Sequence, residues 1–352
     1  MKNNTTLCFV AGRSGGHLLP CLTKAAHLAR EQKNSILFFS TNTILDKKIL
    51  QESSLVDHLV SLPLENVPYK KIARYPSFIF SFFVSFVMSL RSLWRHKPTK
   101  VVSMGGYISI PVCLAAYCMR IPIELYELNV IPGKAIRFLA PLSTKIFVCF
   151  EQSKQYFSKA SALSPYPLRF AVQEKTVSKE SARNALGLNS SRKTVVILGG
   201  SQGSLFLNTL IKEWLTHHRL LHGDIQIIHQ TGAHQTTDWH TFYRSLFVPA
   251  LLFDYRSDIA LMYSAADIIV CRAGAGTLFE ATFFHKKCIA IPLETATTDH
   301  QIYNAYALAT QFPHLITVVE QKEIENNHAL FFDRLNAALF DCTILEISQD
   351  SK

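Results

Sequence analysis

The stretch "LCFVAGRSGGH" (residues 7–17) decides the fold, because an apolar run of strand type leads directly into a glycine-rich turn and a helical pattern. The stretch "VVILGGSQGS" (residues 195–204) repeats this order in the second half of the chain. Further apolar runs follow each of them, such as "ILFFS" and "KVVSMGG" in the first half and "IQIIHQTG" and "DIIVCRAG" in the second. Strands that alternate with helices predict parallel sheets with crossover helices. We therefore expect an α/β protein with two Rossmann-like domains.

The chain has 352 residues, a length typical of two domains. Two prolines in "SALSPYPLRF" (residues 161–170) interrupt the periodic pattern and indicate the boundary. We expect one domain over residues 1–163 and a second over residues 164–352. The stretch "HALFFDRLNAALFDC" (residues 328–342) leaves open whether the last helix returns to the first domain.

Hydrophobic residues make up 48% of the chain, and the formal net charge is +10. A basic, apolar chain favours acidic partners, namely nucleotide phosphates, nucleic acid or anionic lipid, over a charge that serves solubility alone. The eight cysteines show no zinc-ligand or redox spacing, which indicates free thiols in a reducing compartment. The start "MKNNTTLCFV" (residues 1–10) lacks the long apolar region of a signal peptide, so we expect a cytosolic protein.

The stretch "YPSFIFSFFVSFVMSL" (residues 75–90) carries no charge and has a serine at every fourth position from Ser77 to Ser89. It is shorter than the roughly 20 apolar residues that a bilayer span needs. Three interpretations are a span, a buried core helix, and an amphipathic surface helix that dips into an anionic leaflet. Basic residues on both sides favour the third. They are Lys70, Lys71 and Arg74 before the stretch and Arg91, Arg95, Lys97 and Lys100 after it.

The two glycine-rich turns stand where a doubly wound sheet binds its ligand, beyond the carboxyl ends of the strands. Neither turn is the dinucleotide pattern GxGxxG, and neither is a Walker A loop. Each alone could be a phosphate-binding loop or simply a tight turn. Because they occupy the same place in two domains, they indicate two sheets that face a central cleft, with a donor on one side and an acceptor on the other.

Several polar residues near these turns could carry chemistry. His17 falls at the start of the first helix, whose positive end favours a neutral imidazole that accepts a proton, although the spacing alone favours a capping or packing histidine. In "CRAGAGTLFEA" (residues 271–281), Thr277 could bind a phosphate and Glu280 a ribose diol, or the segment could be a capped helix with a first-turn acid. The stretch "TTDHQIYNA" (residues 297–305) suits hydroxyl recognition or helix capping. Its polar residues are Asp299, His300, Gln301 and Asn304, and their spacing predicts no metal site.

In their order along the chain, these motifs resemble the MurG family of bacterial peptidoglycan glycosyltransferases, which has the GT-B fold. Two further stretches carry the resemblance, "VVSMGGYISIP" (residues 101–111) and "YELNVIPG" (residues 126–133). The resemblance extends over about residues 5–320. It implies transfer of N-acetylglucosamine from UDP-N-acetylglucosamine to the C4 hydroxyl of the muramyl sugar of undecaprenyl-linked lipid I, which forms lipid II. The first domain would then serve the acceptor and the membrane, and the second the donor.

The resemblance implies that UDP-N-acetylglucosamine binds to motif residues from both halves of the chain. Arg169 suits the diphosphate, Thr277 a phosphate and Glu280 the ribose. Gln301 suits the sugar hydroxyls. The uracil edge falls near Tyr255 or Arg256. The implied set is Ser14, Gly15, Gly16, Asn129, Arg169, Ser201, Arg256, Ala275, Gly276, Thr277, Leu278, Phe279, Glu280 and Gln301.

The implied reaction inverts the anomeric centre, so a base must take the proton of the acceptor hydroxyl while UDP leaves. His17 is the candidate base, and Glu127 is its competitor. The charge of the leaving group is met by Arg169, Thr277 and helix N-termini. The resemblance therefore implies no metal ion and no cofactor.

A lipid-linked acceptor implies a peripheral protein at the cytoplasmic face of the bacterial inner membrane. The basic-flanked stretch of residues 75–90 corresponds to the membrane-docking surface of the family. Cell-wall synthesis and division proteins are candidate partners. We expect no nucleic-acid partner, because the basic residues flank an apolar run and do not interleave with aromatics along a groove.

Two alternatives stay open. A UDP-N-acetylglucosamine 2-epimerase shares a similar two-domain scaffold but needs no lipid acceptor. The second alternative is a non-catalytic scaffold that binds UDP-sugar. It stays open because the motifs depart from the family pattern. Arg13 follows the first glycine of its loop, and Tyr126 stands where the family has histidine.

Overall fold

A computed structural model describes residues 5–12, 14–31, 34–51, 53–65, 68, 72–200, 203–232, 237–256, 258–294 and 300–340. Packing divides the chain into two compact units, Met1–Arg169 and Phe170–Lys352. Each unit contains one parallel sheet with helical connections.

The first unit contains a seven-stranded sheet with the order β3-β2-β1-β4-β5-β6-β7, and every pair of neighbouring strands is parallel. The order reverses between β1 and β4, which makes this the switch point of the sheet. The strands are β1 (Thr6–Val10), β2 (Ser35–Thr41), β3 (His58–Leu62), β4 (Lys100–Ser103), β5 (Ile123–Glu127), β6 (Lys145–Val148) and β7 (Ser161–Leu163).

Helices cover this sheet, and its core is formed by strand residues such as Val10, Leu37 and Val101 together with Leu93 and Val112 from two helices. The helices are α1 (Gly15–Glu31), α2 (Ile44–Gln51), α3 (Tyr75–His96), α4 (Ser109–Cys118) and α5 (Lys134–Leu139). Short 3₁₀ helices lie at Ile72–Arg74, Ala140–Leu142 and Glu151–Tyr156.

The second unit repeats this plan with a six-stranded parallel sheet of order β10-β9-β8-β11-β12-β13. Its switch point lies between β8 and β11. The strands are β8 (Lys193–Leu198), β9 (Ile225–Gln230), β10 (Ala250–Phe253), β11 (Ile268–Arg272), β12 (Lys287–Ile291) and β13 (Ile316–Val318).

The last described helix packs into the core of the second unit. Phe331 and Leu335 of this helix are buried in the same cluster as Trp214, whose indole Nε1 donates to Oδ1 of Asn336 at 3.0 Å. The helices of this unit are α6 (Lys179–Ala185), α7 (Leu205–His217), α8 (Trp239–Ser245), α9 (Ala260–Ala265), α10 (Ala275–Phe283), α11 (His300–Gln311), α12 (Gln321–Asn326) and α13 (His328–Phe340). Further 3₁₀ helices lie at Val172–Thr176 and Arg219–Leu221.

Helix α3 turns its serines inward and its aromatic residues outward. Ser81, Ser85 and Ser89 are buried, whereas Phe80 is 71% exposed and Phe83 is 60% exposed. The hydroxyls of Ser85 and Ser89 each donate to the carbonyl one turn earlier at 2.7 Å, which satisfies them without an outside partner. Small side chains on this stripe let α3 pack against α4. The helix is therefore not a buried core helix.

Helix α3 is also longer than the uncharged stretch that the sequence shows. It extends over 22 residues to His96 and is followed by the C-cap Lys97, whose φ of 44° is left-handed. By length and composition alone, α3 could cross a bilayer. Of its predicted basic flanks, Arg91, Arg95 and Lys97 are exposed. Lys70 and Lys71 lie outside the described residues.

Candidate functional site

Two motif loops meet at the switch point of the first sheet. Strands β1 and β4 are hydrogen-bonded neighbours, with Val10 opposite Ser103 at their carboxyl ends. The loop from β1 to α1 and the "MGGY" loop from β4 to α4 therefore leave the same edge of the sheet side by side. Ligands of doubly wound sheets bind in the crevice at such a point.

His17 lies in the first turn of α1 and is half-buried. The loop after β4 passes beside its imidazole, since a Cβ at Gly106 would lie 3.7 Å from His17 Nδ1. Gly106 has a φ of +79°, a conformation that residues with a side chain rarely adopt. The backbone conformation therefore favours glycine at this position, where the loop runs past His17.

Two buried serines, which the sequence did not single out, fix the "MGGY" loop. Ser103 Oγ donates to Ser109 Oγ at 2.7 Å, and Ser109 Oγ lies 2.6 Å from the carbonyl oxygen of Gly105. The amide of Gly105 donates to Ser103 Oγ at 3.1 Å. The signal in the sequence is a pair of serines that flank the two glycines, in "SMGGYIS".

Glu127 ends β5, and both of its carboxylate oxygens are engaged by the loop that follows. Oε1 accepts from the backbone N–H of Asn129 at 2.8 Å and from its side-chain Nδ2 at 3.1 Å, while Oε2 accepts from the N–H of Gly133 at 2.9 Å. Burial raises the pKa of Glu127 to about 7, although these donors oppose the rise. The carbonyl of Asn129 accepts from the hydroxyl of Ser153 at 2.8 Å. Glu127 and Asn129 thus shape this loop.

Tyr126, the residue before Glu127 in β5, is part of the core. Its ring stacks on Phe147 with ring centres 4.6 Å apart, and Nζ of Lys24 lies 5.1 Å from its ring centre. The ring is buried. Tyr126 is therefore a packing residue.

The remaining predicted residues of this unit lie around the start of α1 or at the end of the unit. Ser14 directly precedes α1, and its carbonyl accepts from the N–H groups of His17 at 3.2 Å and Leu18 at 3.0 Å. Gly15 is buried and Gly16 is exposed. Arg169 is half-buried at the last residue of the unit, and Arg13 lies outside the described residues.

The second sheet also brings two motif loops together at its switch point, since Leu198 of β8 pairs with Cys271 of β11. The glycines permit close backbone packing there. A Cβ at Gly203, whose φ is +77°, would lie only 2.7 Å from the Cα of Gly232 in the turn after β9. Ser201 lies outside the described residues.

Arg272, for which the sequence predicts no role, connects three loops at this edge. Its Nε donates to Ser204 Oγ at 3.0 Å, and its Nη1 donates to the carbonyls of Ile291 at 3.4 Å and Pro292 at 3.3 Å. The guanidinium also lies 5.1 Å from the ring centre of Phe206. Burial lowers the pKa of Arg272 to about 10. An arginine at the end of the apolar run "DIIVCR" was the available signal.

The predicted donor segment forms the start of α10. Gly274 is its N-cap in extended conformation and makes no side-chain cap, which corrects the capped-helix alternative. Glu280 is the sixth residue of α10 and lies in its second turn, so the first turn contains no acid. Its Oε2 accepts from the hydroxyl of Tyr263 at 2.7 Å. The segment consists of buried Ala275 and Leu278 and half-buried Gly276, Thr277, Phe279 and Glu280.

Gln301 and Arg256 contact protein groups in the structure. Oε1 of Gln301, in the first turn of α11, accepts from the N–H of Leu293 at 2.9 Å. Arg256 pairs with Asp258 through Nε to Oδ1 at 2.8 Å and Nη2 to Oδ2 at 2.5 Å. Asp299 lies outside the described residues. Across the residues that the structure describes, no group of three or more His, Cys, Asp or Glu side chains is arranged to hold a metal ion.

Comparison with known proteins identifies a family for both units. The glycosyltransferase family 28 N-terminal domain matches residues 7–148, and the glycosyltransferase family 28 C-terminal domain matches residues 194–338. A curated relative from Geobacter sulfurreducens is 32% identical over 304 residues, which make up 86% of this chain and 82% of the relative. That relative is named UDP-N-acetylglucosamine–N-acetylmuramyl-(pentapeptide) pyrophosphoryl-undecaprenol N-acetylglucosamine transferase.

Solved structures share the fold. The crystal structure of MurG from Acinetobacter baumannii matches with a TM-score of 0.69 at 22% identity and covers 96% of this chain and 92% of that chain. A UDP-N-acetylglucosamine 2-epimerase from Neisseria meningitidis matches with a TM-score of 0.59 at 14% identity, over 94% of this chain and 100% of that chain. Identities this low show the GT-B fold alone. The two domain matches and the Geobacter relative decide the family: the chain belongs to glycosyltransferase family 28 and, within it, to the MurG transferases.

Proposed function

We propose that the protein transfers N-acetylglucosamine from UDP-N-acetylglucosamine to the C4 hydroxyl of the muramyl sugar of lipid I, and so forms lipid II for peptidoglycan synthesis. The observation that carries this proposal is membership of the MurG transferases over most of the chain. In both units, the glycine-rich loops that carry the resemblance also lie at the switch points, where doubly wound sheets bind ligands.

For the donor, we propose the second unit and the start of α10. The N–H groups of its first turn and the hydroxyl of Thr277 would bind phosphate, since a helix N-terminus favours negative charge. Glu280 would accept from the ribose and Gln301 would bind sugar hydroxyls. Arg256 would lie at the uracil edge. Arg169, Asn129 and Ser201, together with Ser14, Gly15 and Gly16, stay predicted donor contacts.

For the chemistry, we propose His17 as the base that takes the proton of the C4 hydroxyl while UDP leaves with inversion. Burial supports this choice, because Glu127 is 3% exposed and its carboxylate is held within its own loop by three N–H groups, whereas His17 is half-buried beside the "MGGY" loop at the switch point. Arg169, Thr277 and the positive end of α10 would stabilise the leaving diphosphate.

We propose that α3 docks the protein peripherally on the cytoplasmic face of the membrane, where a nucleotide-sugar donor and a lipid-linked acceptor can both be reached. Its outward face presents Phe80, Phe83 and Trp94 to the surroundings. Exposed Arg91 and Arg95 near the end of the helix would contact anionic headgroups. Cell-wall synthesis and division proteins stay predicted partners.

The test is transfer of labelled sugar from UDP-N-acetylglucosamine in the presence and absence of a short-chain lipid I analogue. We expect a labelled disaccharide lipid and release of UDP only when the analogue is present. A change of UDP-N-acetylglucosamine into its 2-epimer without the analogue would contradict the proposal and favour the epimerase. Binding of UDP-sugar without either product would favour a non-catalytic scaffold.

A further inference from the structure

The hydroxyl of Tyr263 donates a hydrogen bond to Glu280, the predicted ribose ligand. We infer that Tyr263 is a positioning residue that orients Glu280 toward the ribose diol and so sets the preference of the donor site for ribonucleotides over 2′-deoxyribonucleotides. This inference rests on the proposed function for the role of Glu280.

The ring of Tyr263 is fixed by aromatic neighbours. It belongs to α9 and is 1% exposed. It lies flat on the ring of Phe284, with centres 5.2 Å apart and planes 5° apart, and it meets Phe170 edge-on at 6.0 Å. Rotation of the ring away from α10 would break both contacts, so the hydroxyl has a defined position.

The position of the Tyr263 hydroxyl fits the spacing of Glu280 and Phe284 along α10. Glu280 and Phe284 are four residues apart, which places them one above the other along the helix. The same ring therefore packs on Phe284 and reaches Glu280, where its hydroxyl donates to Oε2 at 2.7 Å. A hydrogen bond to a carboxylate is stronger than one between neutral groups.

The Glu280 carboxylate can accept several hydrogen bonds at once. Its two oxygens offer about four acceptor positions, so a carboxylate that accepts from Tyr263 can also accept from the hydroxyls of a diol. The bond from a fixed tyrosine restricts the rotamers of the half-buried Glu280 side chain. Tyr263 thus selects the rotamer in which Glu280 can accept from two adjacent hydroxyls at once.

The test compares Tyr263→Phe with Tyr243→Phe as a matched control. Tyr243 is an equally buried tyrosine of the same unit, and its hydroxyl bonds to Nδ1 of His229 at 2.9 Å. We expect Tyr263→Phe to raise KM for UDP-N-acetylglucosamine by about tenfold and to leave kcat within about twofold at saturating donor. The ratio of kcat/KM between this donor and its 2′-deoxyribose analogue should fall severalfold. Tyr243→Phe should keep that ratio.

Calorimetry measures the affinities for UDP and 2′-deoxy-UDP and so tests the contact between Glu280 and the ribose without an acceptor. If Tyr263→Phe loses the discrimination between these two nucleotides and Tyr243→Phe keeps it, the inference stands even where transfer to lipid I fails. An unchanged preference in Tyr263→Phe overturns it. Glu280→Gln provides a check, because the tyrosine substitution should have no further effect on the preference once the carboxylate is gone.

Discussion

Arg272 at the end of β11 donates to the hydroxyl of Ser204, which follows the glycine loop of β8, across a distance of 3.0 Å. The same guanidinium donates to the carbonyls of Ile291, the last residue of β12, and of Pro292, which follows it. A single side chain thus joins the carboxyl ends of β8, β11 and β12. Because Nε and Nη1 donate to protein groups of neighbouring segments, we assign Arg272 to loop positioning.

Arg272→Ala should remove this coupling. We expect KM for UDP-N-acetylglucosamine to rise at least about tenfold and the free energy of unfolding to fall by about 2–4 kcal/mol, since buried carbonyls lose their donor. Steady-state kinetics and denaturant titration measure the two effects.

Arg183→Ala is the matched control for that experiment. Arg183 is equally buried but lies before β8 and β11, at the opposite edge of the sheet, where it donates to the carbonyls of Ser190 and Ala265. It should lower stability and leave KM unchanged. A similar KM in both variants would contradict the positioning role of Arg272.

Gly106→Ala should slow transfer. The positive φ of Gly106 makes any side chain strained by about 1 kcal/mol, and the added methyl group would contact His17 Nδ1. We expect kcat to fall at least about tenfold. Gly187 has a similar φ of +70°, but a Cβ added there would meet no atom within 4 Å, so Gly187→Ala should cost similar stability and keep kcat. Equal kcat in both variants would contradict a role for Gly106 in the placement of His17.

Glu127→Gln should flatten the dependence of stability on pH. Burial raises the pKa of Glu127 to about 7, so the folded state binds this proton more tightly than the unfolded state does. The resulting stabilisation is complete below the unfolded pKa of about 4.5 and is lost as pH rises toward 7. The loss is at most about 1.4 kcal/mol per pH unit.

Denaturant titrations from pH 4.5 to 8 measure this slope. The difference between the wild type and Glu127→Gln should grow from pH 4.5 to about 7 and then stay constant. Parallel curves for the two proteins would show that Glu127 ionises in the folded state as it does in the unfolded state.

Phe83→Ser should weaken binding to vesicles that contain anionic lipid. Phe83 is 60% exposed on α3, and loss of its burial in a bilayer should lower the partition coefficient by about tenfold. Sedimentation with the vesicles measures it. Phe247→Ser provides the control, because Phe247 is 88% exposed in the second unit and should not affect binding. Equal loss in both variants would contradict docking through α3.

The two parallel sheets could be predicted from the sequence because each strand and turn is a local pattern, as in "LCFVAGRSGGH". The rotation of α3 could not. A period of four places Ser81, Ser85 and Ser89 on one stripe, but period alone does not say which stripe faces the protein. Serines suit the inward face here because their hydroxyls bond to carbonyls of their own helix.

In the candidate site too, local motifs could be predicted from the sequence and contacts between distant residues could not. Motif loops such as "CRAGAG" are contiguous and could be recognised. The contacts of Arg272 and Tyr263 join residues 17 or more positions apart, so they depend on strand order and helix packing. The engagement of Glu127 by Asn129 and Gly133 is local, yet its acidity depends on burial, which only the folded chain provides.

The most direct measurement of the central claim is kcat for transfer to a lipid I analogue by the wild type and His17→Ala, with both substrates saturating. We expect kcat to fall by about 10²–10⁴-fold, while the affinity for UDP-N-acetylglucosamine, measured by calorimetry, stays the same. A kcat within a few fold of the wild type would contradict His17 as the base, and absence of transfer by the wild type would contradict the assigned reaction itself.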